Sequence, residues 1–258
     1  MNLCIIIPAH NEEKRIGHTL VEYYKFLINL KKNKKFDFNI IIVLNACNDK
    51  TEQVIKKFAK GKQEINYLKF EQGGKGFAII EGFRYTLSNK FDLIGFVDAD
   101  MSTSAEAFYD LIDNIDDYDG IIASRWLKDS IIKTKQSFLR IITSRVFNFL
   151  VRGIFLMPFR DTQCGAKLFK RESLNKIINE LIITKWAFDV NLLYKLRKHN
   201  YKILEYPTIW IDKSESKLNL MKVPFNMFAA IVRLKLLELK LNFIVRFYDK
   251  FIKRIPNV

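Results

Sequence analysis

Short apolar runs separated by longer amphipathic segments set the rhythm of the first hundred residues. Leu3–Ile7, Asn39–Leu44, Ile65–Phe70 and Leu93–Val97 are β-rich and bounded by polar, Gly or Pro residues, as strands are. Between them Glu12–Leu30, Thr51–Lys60 and Gly76–Ser88 place apolar side chains at i, i+3 and i+4 with charges on the opposite face. Strands alternating with surface helices predict an α/β domain in which a sheet is packed between helices. No internal repeat or Pro/Gly-rich linker divides the chain.

Beyond Arg125 the pattern turns basic and aromatic. Lys128 to Arg160 carries seven Lys or Arg against Asp129 alone, a net of +6, interleaved with Phe138, Phe147, Phe149 and Phe155. From Lys222 to Val258, eight Lys or Arg stand against Glu238 and Asp249, again a net of +6. There Phe228, Val232, Leu236, Leu239, Phe243, Phe247 and Phe251 fall on one helical stripe. Both segments read as basic amphipathic regions lying on a membrane surface. The predicted organisation is a catalytic domain over 1–220, with 128–160 as a basic amphipathic insertion, and a C-terminal amphipathic helical extension over 221–258. A transmembrane helix needs about 18 consecutive apolar residues. The most apolar stretch, Phe138–Phe159, is interrupted by Arg140, Arg145 and Arg152, so none is expected.

Composition narrows the classes. With 258 residues, 49% hydrophobic, the chain buries a full core, which excludes disorder and a disulfide mini-protein. Forty-three Lys and Arg against 28 Asp and Glu leave +15, a surplus that points to phosphate as nucleic acid, anionic lipid or phosphorylated substrate. Nucleic acid is disfavoured, because the Phe residues follow helical core spacing and no nucleic-acid motif is present. Cys4, Cys47 and Cys164 form no C-x-x-C pair, which argues for a reducing compartment and against structural zinc. Met1-Asn2-Leu3 lacks the basic start of a secretory signal, so a cytosolic setting is expected.

The strongest chemical signal is Phe96-Val97-Asp98-Ala99-Asp100, two carboxylates one residue apart just past an apolar strand. Strand alternation points them the same way, where they can hold a divalent cation bridging a diphosphate. Gly73-Gly74-Lys75-Gly76 invites a phosphate-loop reading. It lacks the Ser or Thr after the lysine that a Walker A loop needs and the third glycine of a Rossmann fingerprint.

Taken together, Ile5-Ile6-Ile7-Pro8-Ala9-His10-Asn11-Glu12-Glu13, Asn45–Thr51, Gly74-Lys75-Gly76 and the Asp98/Asp100 pair resemble, in order and spacing, the inverting family 2 glycosyltransferases with the GT-A fold. Asp161–Phe169, Trp186–Val190 and Ser216–Asn219 are similar to the branch that glycosylates dolichyl or other polyprenyl phosphates, closest to dolichyl-phosphate glucosyltransferases. The resemblance covers residues 3 to 220 and implies a mixed sheet flanked by helices. It implies transfer of a hexose, glucose from UDP-glucose, to dolichyl or polyprenyl phosphate with inversion and with Mg2+ or Mn2+. A mannose synthase using GDP-mannose, or a family 2 transferase extending a cell-surface glycan, are the alternatives. The enzyme is expected as a peripheral protein on the cytoplasmic face of a membrane, its oligomeric state left open.

Residue by residue, the resemblance puts Pro8, Ala9, Asn11, Glu12, Asn45, Asp49 and Lys75 around the nucleotide sugar, and Asp98 and Asp100 on the sugar nucleotide and its metal. Asp100 and Asp161 are the candidate catalytic carboxylates, with Asp161 as the acid on the acceptor side. Arg125 and Arg140 become ligands of the acceptor phosphate, joined by Lys213 and Lys217 from a polar loop implied to close over the site. Three positions depart from the family pattern. Leu44-Asn45-Ala46-Cys47 stands where Asp-Asp-Gly-Ser is usual, Ser102 where Gln or an acid often adds a metal ligand, and Glu215 where Gly often precedes the Ser-Lys pair.

Overall fold

The computed structural model describes residues 1–33, 36–134, 137–182, 184, 186–213 and 222–252. Among these, strands β1 (Asn2–Ala9), β2 (Asp37–Asn45), β3 (Ile65–Phe70), β4 (Leu93–Phe96), β5 (Gly120–Ser124), β7 (Lys167–Lys170) and β8 (Ile203–Pro207) form one sheet in the order β3-β2-β1-β4-β7-β5-β8. Only β7 runs against its neighbours β4 and β5, so the sheet is mixed. Short β6 (Ile131–Ile132) and β9 (Ile209–Trp210) pair separately.

The continuous apolar run of β1 is explained by cover on both faces. Leu3, Ile5 and Ile7 point into one core with Ile40, Ile42 and Leu44 of β2. Cys4 and Ile6 point into the other with Ile41 and Val43. Helix α1 (Ile16–Asn33) covers the first face through Ile16, Leu20, Tyr23 and Leu27, which recur at the spacing predicted from sequence. Helix α2 (Thr51–Ala59) adds Ile55, and α4 (Ala105–Asp113) adds Phe108 and Leu111. The second face is closed by α3 (Lys75–Leu87), α6 (Arg171–Ile177) and α7 (Phe188–Lys198).

The chain runs β1, β2, β3 outward to one edge, then returns to place β4 on the other side of β1. At such a switch point the loops leaving the strands diverge and open a crevice past their carboxyl ends. That places the segments after β1 and β4, which carry the predicted chemistry, at one crevice.

The basic regions differ from the sequence reading. Residues 128–160 are not one amphipathic segment, since β6 pairs with β9 before α5 (Phe138–Phe155) begins. Helix α5 is apolar on two sides. Phe147, Val151 and Phe155 sink into the second core, while Phe138 and Phe149 stand 77% and 72% exposed. The C-terminal region is two helices, α8 (Lys222–Glu238) and α9 (Asn242–Ile252), broken where Lys240 takes the left-handed conformation at φ 57. The break ends the single stripe expected there. The buried positions of α8 are Ala229, Ile231 and Leu234, whereas Phe228, Leu239 and Phe243 are exposed. Polar ties fix the arrangement. Lys195 of α7 pairs with Glu238 at 2.7 Å, Arg233 grips Asp249 at 2.6 and 3.0 Å, and the Tyr248 hydroxyl donates to the Ala229 carbonyl at 2.6 Å.

Truncating a fully buried Ile to Ala costs about 2–5 kcal/mol, against about 0.5 kcal/mol or less for an exposed side chain. Urea unfolding of Ile231→Ala is therefore expected to show a loss in that range. Phe243→Ala, a position on the stripe read from sequence, which left Ile231 out, is expected to unfold like the wild type.

Candidate active site

A cleft at the carboxyl ends of β1, β2 and β4 is lined by Pro8, His10, Glu12, Asn45, Lys75, Asp98, Ala99 and Asp100. Two carboxylates project here because β4 ends at buried Phe96, buried Val97 follows it, and the chain then turns sharply. Met101 sits at φ 60, and the Ser102 amide donates to Asp100 Oδ1 at 2.9 Å, fixing that side chain. Lys75 enters from the first turn of α3. The preceding Gly74 stands at φ 128, a conformation that favours glycine, and so aims the helix amino end at the cleft. Lys75 Nζ pairs with Asp98 Oδ1. Desolvation opposes its charge, but Asp98, Asp189 and Asp100 outweigh this and hold the ammonium above its ordinary pKa.

The floor of the cleft is a web of loop contacts. Buried Asn45 donates from Nδ2 to the Ala9 carbonyl at 2.9 Å and accepts the Gly74 amide on Oδ1 at 3.0 Å, tying the ends of β1 and β2 to the start of α3. Asn11 accepts the Asn48 amide at 2.9 Å, and Thr51 Oγ1 accepts the Glu12 amide at 2.7 Å. Asp49 accepts the Glu13 amide at 3.1 Å and the Thr51 amide and hydroxyl at 2.9 and 2.5 Å. Burial works against ionisation of Asp49, yet these donors hold its carboxyl below its usual range. Ala9, Asn11 and Asp49 thus build the wall, while Pro8, Glu12, Asn45, Lys75, Asp98 and Asp100 face the opening. The residue-by-residue reading of the sequence gave His10 no role. It lines the cleft, its Nδ1 2.8 Å from the Asn45 carbonyl oxygen, and its place directly after Pro8-Ala9 at a strand end was the available signal.

The acceptor-side candidates are organised in pairs that the sequence did not reveal. Asp161 is fully buried and takes a bidentate grip from Arg125, Nε to Oδ2 at 2.7 Å and Nη2 to Oδ1 at 2.9 Å, with the Arg125 amide adding a bond at 3.0 Å. Burial raises the cost of charge on Asp161, but the guanidinium prevails and keeps the carboxyl below the usual range. The Arg125 guanidinium also lies 5.5 and 5.3 Å from the ring centres of Trp126 and Trp210. Arg140 Nη1 reaches both oxygens of Asp212 at 2.9 and 3.0 Å. Lys213 is exposed next to Asp212, and Lys217 lies outside the described residues.

Asp98 and Asp100 suit a hard divalent cation. Among the described residues they are the only acid groups lining the cleft besides Glu12, whose two oxygens are held by Arg15 at 2.6 Å each. Among the described residues no group of three or more His, Cys, Asp or Glu could hold a metal on its own. Two carboxylates supply part of a coordination shell, and the rest would come from diphosphate oxygens and water, as is usual for Mg2+.

This mixed sheet, with its paired carboxylates at the switch point, is the GT-A architecture of nucleotide-sugar transferases. The profile described as Glycosyl transferase family 2 matches residues 4–178. A dolichyl-phosphate beta-glucosyltransferase of Dictyostelium discoideum is 35% identical over 243 residues, 90% of this chain and 73% of the relative. The Homo sapiens protein of the same description is 30% identical over 236 residues, 86% of this chain and 70% of the relative. In fold, the chain is similar to glucosyl-3-phosphoglycerate synthase from Mycobacterium tuberculosis, solved in complex with Mn2+, uridine diphosphate and phosphoglyceric acid. The TM-score is 0.64 at 13% identity, over 90% of this chain and 77% of that one. The chain belongs to glycosyltransferase family 2, and it is a glycosyltransferase.

Breaking a buried ion pair leaves an uncompensated charge, at a cost of about 3–5 kcal/mol. Asp161→Asn is expected to lose that much at pH 7 by denaturant unfolding. The folded carboxyl titrates below its unfolded value of about 3.9, so the stability it contributes is present above that pH and is lost as the pH falls through the folded value. The gap between wild type and variant is therefore expected to close in acid below about pH 4.

Proposed function

We propose that the chain transfers glucose from UDP-glucose to dolichyl or another polyprenyl phosphate with inversion at the anomeric carbon. The carrying observation is the cleft that sets Asp98 and Asp100 beside Lys75 at the sheet's switch point, in a chain covering about 70% of relatives described as dolichyl-phosphate beta-glucosyltransferases. Residues 1–220 act as the catalytic domain and 221–258 as its helical extension.

Asp98 and Asp100 would hold Mg2+ or Mn2+, which supplies charge neutralisation to the departing diphosphate. Lys75, kept protonated by its carboxylate neighbours, adds a fixed positive charge at the same place. Pro8, Glu12 and the Asn45 web shape the wall for the nucleotide. On the acceptor side, Asp161 already carries its charge and spends it on Arg125, so its role is to orient that guanidinium toward a phosphate. Arg140, positioned by Asp212, and Lys213 and Lys217 would complete the phosphate site. The acceptor phosphate is itself ionised at pH 7 and attacks without needing a strong base. Placement and charge then account for the rate.

The same reading makes the protein peripheral, on the cytoplasmic face of a membrane. No helix among the described residues is long and apolar enough to cross a bilayer. Phe138, Ile142, Val146 and Phe149 form an exposed apolar stripe on α5, flanked by Arg145 and Arg152.

Two outcomes follow. With polyprenyl phosphate and a panel of UDP- and GDP-sugars, mass spectrometry of the lipid product is expected to show glucosylation from UDP-glucose. That turnover should fall by about 100-fold or more in EDTA or in Asp100→Asn, and a mannosylated product from GDP-mannose would move the assignment to the mannose branch. In flotation with anionic vesicles, binding is expected to weaken with salt and to drop in the double variant Phe138→Glu, Phe149→Glu. Undiminished flotation of that variant would place attachment elsewhere.

A further inference from the structure

Asp98 has a neighbour that the chemistry above leaves unused. Gly165, from the loop before β7, lies so close that a Cβ built on it would fall 1.9 Å from Asp98 Oδ2 and 2.4 Å from Asp98 Cγ. No such contact is tolerable, so the Asp98 carboxylate occupies the volume of a side chain that Gly165 lacks. Its other oxygen, Oδ1, faces Lys75 Nζ. The carboxylate is thus set between an ammonium on one side and a bare Cα on the other.

The peptide that carries Gly165 is itself anchored. Lys167 is fully buried, and its Nζ donates to the Cys164 carbonyl at 2.6 Å and to Asp189 Oδ1 at 2.7 Å, with the Phe96 ring centre 5.3 Å away. The Cys164 carbonyl belongs to the peptide bond that leads into Gly165. Asp189, in the first turn of α7, gives the buried ammonium its counter-charge. Leaving a lysine uncompensated at such a depth is costly, so Lys167 and Asp189 constrain each other and the loop between them and Asp98.

We propose that Gly165, held in place by Lys167 and Asp189, is the backstop that positions Asp98 for the metal-diphosphate group of the donor. Gly165 and Lys167 are positioning residues, since neither reaches the cleft lining. This rests on the donor reading given above and names which residues set its geometry. A side chain at 165 pushes Asp98 away from Oδ2's present place, and loss of the Lys167 ammonium frees the Cys164–Gly165 peptide to drift.

The test uses calorimetric titration of UDP into the full-length chain with and without Mn2+, alongside thermal melting. For the wild type, Mn2+ is expected to tighten UDP binding. In Gly165→Ala and in Lys167→Met that Mn2+-dependent gain is expected to shrink at least ten-fold, while UDP binding without metal stays within about two-fold of wild type. Melting of Gly165→Ala tests the steric claim apart from any ligand. The alanine's cost is expected to vanish in the Asp98→Ala background, where Gly165→Ala, Asp98→Ala melts with Asp98→Ala alone, because the clashing oxygen is gone.

A full Mn2+-dependent gain in Gly165→Ala would overturn the proposal. Equal loss of metal-free and metal-dependent binding would reduce Gly165 to general packing and overturn it as well, as would a melting deficit that Asp98→Ala leaves unchanged. If wild type binds no UDP in the presence of Mn2+, the donor reading fails and the proposal with it, an outcome distinct from failure of the variants alone.

Discussion

Everything at this site depends on holding two like charges, Asp98 and Asp100, at the end of a strand whose own residues are apolar and buried. Two carboxylates lining one cleft repel, and the low-dielectric sheet beneath them offers no relief. The structure answers with Lys75 from α3 on one side and a backbone amide from Ser102 on the other. The position of α3 is set in turn by Asn45, which accepts the Gly74 amide and so anchors the helix start to β1 and β2. A substrate that brings its own negative charge and a divalent cation fits this balance, because the cation replaces the repulsion with shared coordination.

The same logic recurs away from the carboxylate pair, in further pairs of opposite sign. Arg125 with Asp161, Arg140 with Asp212 and Lys167 with Asp189 each join residues distant in sequence. Fixing a guanidinium with a buried carboxylate gives up some of its charge but removes the entropy of a long free side chain. An arginine so held presents its remaining donors in one direction, which suits a phosphate arriving on a flexible lipid.

Much of the layered fold was legible in the chain. Ile65–Phe70 is the strand that its pattern predicted, and α1, α2 and α3 lie within a few residues of their expected bounds. These elements read clearly because each has one dominant neighbour, a sheet face or solvent, so burial and periodicity agree. The C-terminal helices did not, because α8 meets the protein through Ile231 and Leu234 while also exposing Phe228, and a helix apolar on several sides has no single stripe to read. The turn at Lys240 then shifted the phase of everything after it. At the site, the residue types at strand ends were readable, and Asp98, Asp100 and Lys75 do meet in one cleft. The Arg125–Asp161 pairing was not readable, since it joins positions 36 residues apart through the return of an antiparallel strand.

The most direct measurement of the central claim is anomalous diffraction at the manganese edge from crystals grown with UDP and Mn2+. The expected result is one strong peak in the cleft within about 2.0–2.6 Å of oxygens from both Asp98 and Asp100, bridged to the diphosphate, with Lys75 Nζ in hydrogen-bond reach of a phosphate oxygen. UDP bound in the cleft with no anomalous peak, or a peak that leaves both carboxylates unligated, would contradict the assignment.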